Sequence, residues 1–337
     1  MNNMTRSMAM ALVLVAVALP GCAPTVALNK GQSMMLEPAR AAEKRGDYAK
    51  ALSEYRRAAQ GGIPYAQYRL ARLYDKGLGT AASAEEAARW YQAAADGNYP
   101  DAQIALARMY EQGRGVARDV AAALALYLKA AEYERSAAYR LERPRMAAVA
   151  HVRAGQMIEN GRGTEADPLT AVEYYEYAAG LDNPDGDFQL AELYRKGQGV
   201  AADPRVAEDH YLAAAVSYAG PTWRDDASAQ LRLGTMYLDG LGVARDLRRG
   251  IALLERSAAN GHGSAQYRLG QLFEHGEGFV AADPARALGY YQQAAERGHG
   301  SAIRALAAFE ENGKGQANGA VPPAEGEQVA EIDEQGA

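Results

Sequence analysis

Three groups of residues in this chain are of types that can do chemistry. Gly113-Arg114-Gly115, within Glu111–Asp119, could cradle an anion: the glycines bare their N–H groups, a guanidinium stands between them and a helix follows. His262 and His299 each stand in the string Gly-His-Gly-Ser-Ala, and a pair of imidazoles can share a metal ion. Cys22, the only cysteine, is a single thiol placed where an apolar run stops. What each can do depends on the elements that hold it.

The glycine pair recurs, at Gly77/Gly79, Gly113/Gly115, Gly161/Gly163, Gly197/Gly199, Gly240/Gly242, Gly276/Gly278 and Gly313/Gly315. Its first glycines are 36, 48, 36, 43, 36 and 37 residues apart, so a 36-residue unit repeats with inserts of 12 and 7 residues and one extra residue before Asp283. No strand-like segment precedes any copy, and a dinucleotide loop needs one. The pairs therefore read as turns. Gly77, Gly113, Gly161, Gly197, Gly240 and Gly276 stop a helix in a left-handed conformation that a Cβ opposes, and the second glycine helps reverse the chain.

A helix must precede each pair. Eleven residues before the first glycine lies a small residue (Ala66, Ala102, Ala150, Gly186, Ala229, Ala265, Ala302), and seven before it a Leu or Ala (Leu70, Leu106, Ala154, Leu190, Leu233, Leu269, Leu306). Three before it stands Tyr74, Tyr110, Ile158, Tyr194, Tyr237, Phe273 or Glu310. Spacing by four puts these on one helical face, with the small residue admitting a neighbouring helix. A second helix follows each pair except the last, capped by Ser83, Asp119, Asp167, Asp203, Asp246 or Asp283, with Pro168, Pro204 and Pro284 at first helical positions. Ala87, Ala123, Ala171, Ala207, Gly250 and Ala287 come next, and Tyr91, Tyr127, Tyr175, Tyr211, Leu254 and Tyr291 four residues later.

The pattern A-Q-x-x-L-A-x-x-Y-x-x-G-x-G-V-x-x-D-x-x-x-A-x-x-x-Y-x-x-A-A resembles the Sel1-like repeat, a relative of the tetratricopeptide repeat. It is carried most fully by DAQIALARMYEQGRGVARDVAAALALYLKAA, Asp101–Ala131, and extends from Pro64 to Gly315. Upstream, EKRGDYAKALSEYRRAAQGG is more tetratricopeptide-like, with Asp47, Ala51 and Tyr55 in the second-helix register of a first, divergent unit. The resemblance implies an all-α fold, a right-handed α-solenoid superhelix of antiparallel helix pairs. It implies about fifteen helices, a concave side lined by first helices, and no single core. Some Sel1-repeat proteins are cysteine-rich and linked to β-lactams; their paired cysteines are absent here, so that activity does not carry over.

At the N-terminus, Arg6 precedes an apolar run from Met8 to Leu19, too short for a bilayer core that needs ~20 residues but of the length of a secretory signal core. Leu19-Pro20-Gly21-Cys22 resembles a bacterial lipobox, which makes Cys22 the lipidation site, and Ala23 after it points to the outer membrane. The expected organisation is a signal peptide over 1–21, a lipidated linker over 22–35, the solenoid over 36–315 and a disordered acidic tail over 316–337. That tail holds Glu325, Glu327, Glu331, Asp333 and Glu334 and no Lys or Arg, nearly the whole net charge of −6. A nearly neutral body argues against nucleic-acid binding.

Two surfaces could bind a partner. Five arginines recur eight residues before the first glycine (Arg69, Arg153, Arg232, Arg268 and Arg304), with Arg72 and Arg108 on the same face. Such a face is ordinarily solvated and paired with acids such as Asp75, Glu111, Glu159 and Glu274; the other reading is a basic ladder for a polyanion or acidic partner. The inserts, Glu132–Arg145 and Ser217–Asp226, carry Tyr133, Tyr139, Tyr218 and Trp223, types enriched at interface hot spots. His262 and His299, one repeat apart, read as turn residues rather than metal ligands. No catalytic constellation, metal site or cofactor is expected. The layout resembles the outer-membrane lipoprotein of alginate secretion. That implies a non-enzymatic scaffold that partners an outer-membrane porin and periplasmic proteins of an export complex. The alternative is a general Sel1-repeat adaptor binding a regulatory or host protein.

Overall fold

The computed structural model describes residues 28–134 and 144–311. Among them are fifteen helices and no sheet, only an isolated bridge between Glu277 and Val280. The helices are α1 Lys30–Lys44, α2 Tyr48–Gln60, α3 Pro64–Lys76, α4 Ala84–Asp96, α5 Pro100–Gln112, α6 Val120–Glu134, α7 Pro144–Glu159 and α8 Pro168–Ala179. They continue as α9 Pro184–Lys196, α10 Pro204–Ala219, α11 Ala227–Asp239, α12 Leu247–Ala259, α13 Gly263–His275, α14 Pro284–Glu296 and α15 Gly300–Glu311. The chain divides into two compact units, residues 1–139 and 140–337. The first holds α1–α6 and the second α7–α15; in each, consecutive helices pack as antiparallel pairs.

The expected punctuation sets the helix ends. Ser83, Asp119, Asp167, Asp203, Asp246 and Asp283 each accept a first-turn N–H, as in the 2.9 Å bond from Ala122 to Asp119. Gly77, Gly113, Gly161, Gly197, Gly240 and Gly276 all have positive φ, between 63° and 71°. Gly77, Gly113, Gly197 and Gly240 are the expected left-handed stops, with ψ of 35° to 38°; Gly276 is not, since its ψ of 154° is extended and its turn carries the extra residue before Asp283. The second glycine is held harder. A Cβ at Gly115 would lie 2.2 Å from the Ala84 carbonyl oxygen, because the turn rests on the first residue of the preceding second helix. Gly79 meets the Tyr48 backbone and Gly199 the Pro168 backbone in the same way, whereas Gly278 meets only the end of the Leu247 side chain.

The core repeats with the sequence. Ala66, Ala102, Ala150, Gly186, Ala229, Ala265 and Ala302 are buried, as are Tyr55, Tyr127, Tyr175, Tyr211 and Tyr291 of the second helices. Two further buried rows accompany them. Leu73, Met109, Met157, Leu193, Met236 and Leu272, four residues before the first glycine, fill the space between pairs. Two positions before each of these stands Ala71, Ala107, Gly155, Ala191, Gly234 or Gly270. A Cβ at Gly270 would come within 2.4 Å of the Tyr291 ring, so a small residue there seats the tyrosine. The aromatic row expected three residues before the glycine is shallower: Tyr74, Tyr110, Tyr194 and Tyr237 are half-buried.

One boundary differs from expectation. α1 begins at Lys30, inside the stretch expected to be linker, because Asn29 and Gln32 form a capping box and Leu36, Ala39 and Ala42 bury against α2 and α3. In α15, Phe309 is buried edge-on to Tyr291 at 5.7 Å and closes the last core cluster. Cys22, the segment 1–27 and the tail 316–337 lie outside the described residues.

Candidate functional site

The anion-loop candidate is a turn whose arginine is already paired. Arg114 Nη1 bonds to Asp75 of the preceding repeat, and the Arg114 N–H closes the end of α5 on Met109 at 3.0 Å. The histidines are turn residues as well. His299 stacks on Tyr267 at 4.9 Å, and its Nδ1 accepts the Ala302 N–H at 3.3 Å, capping α15. His262 Nε2 lies 3.3 Å from Ser228 Oγ, and burial lowers its pKa. Among the described residues no group of His, Cys, Asp and Glu is arranged to hold a metal ion.

Of the acids expected to pair with the arginine face, Asp75 does meet an arginine, Arg114, whereas the other three meet phenols. Glu111, Glu159 and Glu274 accept the phenols of Tyr127, Tyr175 and Tyr291 at 2.9, 2.7 and 2.8 Å, and Glu43 accepts that of Tyr55 at 2.9 Å. In α9 the corresponding position is Arg195, and Glu192, one turn earlier, takes over. It accepts from Tyr211, Arg195 and Lys196. Burial would raise the Glu192 pKa, but these donors outweigh it and hold the group at about 2.

The expected basic ladder is largely consumed by pairing. Arg69 bonds to Glu43 and to the Tyr65 phenol. Arg232 lies 3.6 Å from Asp185 and over the Phe188 ring at 4.7 Å. Arg268 bonds to Asp239 at 3.2 Å, and Arg72 lies over Tyr68 at 5.8 Å. These guanidinium groups, bonded or stacked, tie neighbouring side chains together. Arg108, Arg153 and Arg304 are the exposed members; Arg153 and Arg304 each hydrogen-bond one neutral neighbour, Gln156 at 3.3 Å and Ser301 at 3.0 Å.

The seven-residue insert is resolved into two parts. α10 has 16 residues where α4, α12 and α14 have 13, and the turn after it runs from 220 to 226. Gly242 consequently rests on Tyr211 rather than on Pro204 at the helix start. Seven residues are close to two turns at 3.6 residues each, so α10 slips along its neighbour without changing the face it presents. Tyr218, expected as a partner contact, is a core residue instead. It is 2% exposed, and its phenol donates to Asp185 at 2.5 Å, because the slip carries it into the interface between α9 and α11. Trp223 is half-buried against the cluster of Phe188, Tyr211 and Leu233. Tyr139 and the side chain of Tyr133 lie outside the described residues.

The slip leaves two clefts beside the turn. One, of about 420 Å³, lies between the α8–α9 turn at Asp182 and Asn183 and the α10–α11 turn at Thr222 and Trp223. The other, of about 350 Å³, lies between the end of α10 and one face each of α11 and α12. Nothing in the repeat pattern announced them, because they arise from the registry of helices far apart in sequence. The only trace was the 43-residue spacing.

Comparison with known proteins agrees with this geometry. The Sel1 repeat matches residues 64–99, 100–132, 148–183, 184–215, 227–262 and 263–299. The insert Ser217–Asp226 falls in a gap between matched repeats, as does all of Glu132–Arg145 but its first residue, and the match ends at 299, short of the expected Gly315. A Sel1 repeat protein from Oxalobacter formigenes is 27% identical, over 78% of this chain and 99% of that one, with a TM-score of 0.55. A protective antigen present in uropathogenic Escherichia coli strains is 26% identical, over 84% of this chain and 58% of the antigen, with a TM-score of 0.49. Chitin synthase regulatory factor 3 of Schizosaccharomyces pombe is 27% identical over 138 residues; the match spans 40% of this chain and 14% of that protein. With more than half of its residues in six matched repeats, each a helix pair, the chain belongs to the Sel1 repeat family, whose α-solenoids are suited to protein–protein interaction.

Proposed function

We propose that this chain is a non-enzymatic scaffold, lipid-anchored through Cys22 to the outer membrane and facing the periplasm, that assembles partner proteins of an exopolysaccharide export complex of the alginate type. The observation that carries the reading is Cys22 itself: the sole thiol stands directly after an apolar run of signal-core length. The remainder of the chain supports a tether rather than a catalyst. The described helices hold paired acids and arginines in structural roles, and no described helix is long and apolar enough to cross a membrane. An outer-membrane porin and periplasmic polymer-modifying proteins are the partners such a tether would join.

A second reading, a general adaptor for a regulatory protein, is favoured by the regulatory factor among the similar proteins. Crosslinking in intact cells, followed by identification of the bound proteins, separates the two. Export reads out as a porin or polymer-modifying protein bound to the wild type and as reduced exported anionic polysaccharide when the gene is deleted. Normal export with regulatory proteins crosslinked instead would transfer the assignment to the adaptor.

A further inference from the structure

The second cleft has a composition that specifies an occupant. Its floor is apolar, formed by Leu233, Tyr237 and Leu253, and its rim carries Arg224, Arg249 and Arg256. Residues 249, 253 and 256 fall on one face of α12, so the helix presents both floor and rim. The counter-charges are weak. Arg256 reaches Asp225 at 3.5 Å, but Asp225 is 85% exposed; Arg249 leans on the helix cap Asp246 at 3.4 Å. Arg224 has no ion-pair partner among the described residues. Three guanidinium groups around an apolar floor suit a segment with apolar side chains between carboxylates, and suit a uniformly polar polyanion poorly.

The chain carries such a segment. In Glu327-Gln328-Val329-Ala330-Glu331-Ile332-Asp333-Glu334, four carboxylates surround Val329 and Ile332. We propose that residues 327–334 dock in the cleft between α10, α11 and α12 of the same molecule, with Val329 and Ile332 toward the apolar floor and the acids toward the three arginines. The reach is sufficient. α15 ends at Glu311, and the fifteen residues 312–326 span up to ~50 Å at ~3.3 Å each. From α15 to α12 there are only α14 and α13 to pass, about 30 Å at ~8–10 Å per helix spacing. A short tether raises the local concentration of the segment into the millimolar range, so modest affinity fills the cleft. An acidic segment of a partner would then bind by displacing it. The docking rests on the second unit alone and does not depend on the export reading.

Disulfide trapping in the full chain tests this. In a Cys22→Ser background, Ala330→Cys is combined with Ala252→Cys at the cleft or with Ala285→Cys, an exposed position on α14 closer to the tether. Docking predicts at least tenfold faster intramolecular disulfide formation at Ala252→Cys than at Ala285→Cys. Arg249→Glu with Arg256→Glu should abolish the difference, as should 1 M salt, where screening acts over ~3 Å. Excess synthetic peptide of residues 325–337 should compete. Equal rates, or a faster reaction at Ala285→Cys, would overturn the proposal, since a freely ranging segment reaches the nearer site more often. Disulfide-linked dimers whose yield rises with protein concentration would overturn it as well, by assigning the cleft to the segment of a second copy.

Discussion

The phenol of Tyr175 in α8 donates a 2.7 Å hydrogen bond to the carboxylate of Glu159 in α7. The same bond recurs between Tyr127 and Glu111 and between Tyr291 and Glu274, so one buried phenol and one half-buried acid lock the two helices of a repeat. Burial, then the bonded carboxylate, raises the phenol pKa of Tyr175 and Tyr291 well above the usual value of 10.0. A folded-state pKa above the unfolded one contributes stability that is whole below pH ~10 and is lost as pH rises beyond it. The melting temperature should therefore be level up to about pH 9.5 and fall above it. Tyr175→Phe should cost ~1 kcal/mol at neutral pH and lessen the alkaline fall, both followed by circular dichroism.

Glu192 makes the opposite forecast. Its folded pKa lies below the ordinary 4.5, at about 2, so its contribution is present above pH ~4.5 and is lost as pH falls toward 2. Glu192→Gln should cost up to ~3 kcal/mol at pH 7 and almost nothing near pH 2. Urea melts of the two proteins at both values check this; parallel losses at pH 7 and pH 2 would show that the charge is not what matters.

The two glycines of a turn should differ. Gly113 has φ 66°, and a Cβ there would stand 3.2 Å from the Arg118 Cβ, so Gly113→Ala should cost ~1–2 kcal/mol for the left-handed backbone. Gly115 also has positive φ, but its Cβ would overlap the Ala84 carbonyl, and Gly115→Ala must push two repeats apart. Its cost should exceed ~3 kcal/mol. Equal chemical-denaturation midpoints for the two variants would contradict the close approach.

Arg232→Glu should act on stability before binding. It places a carboxylate beside Asp185, which already accepts from Tyr218, and removes the guanidinium from the Phe188 face. A loss of ~1–3 kcal/mol is expected. Arg153→Glu, at an exposed position, should leave stability within ~0.5 kcal/mol, which makes it the cleaner probe of any acidic partner of this face. Thermal melts of both variants provide the comparison.

Cys22→Ser should abolish lipid labelling and shift the protein from the membrane fraction to the soluble one. A single amino-acid change suffices because no other cysteine can accept the acyl chains. Unchanged partitioning would remove the anchor from the proposed function.

The sequence by itself determined the helix pairs, their caps, their glycine stops and the family, because each of these is a local pattern repeated every 36 residues. An Asp cap or a left-handed Gly acts within one turn of the chain, so its physics is written in neighbouring residues. The row of small residues at Ala71, Gly155 and Gly270 could have been found by the same periodicity. The fates of the charged side chains were decided only by the tertiary structure. Whether Arg232 meets solvent or Asp185, and whether Glu159 meets water or Tyr175, depends on which helix faces which across the repeat. Tyr218 shows the reason most plainly. Its residue type and its place in an insert suggested an exposed contact, but the insert is absorbed as a two-turn slip of α10, which buries the ring and opens the arginine-rimmed cleft beside it. An insert's length can be counted along the chain, whereas the direction in which it displaces a helix is set by packing against neighbours that the local sequence does not encode.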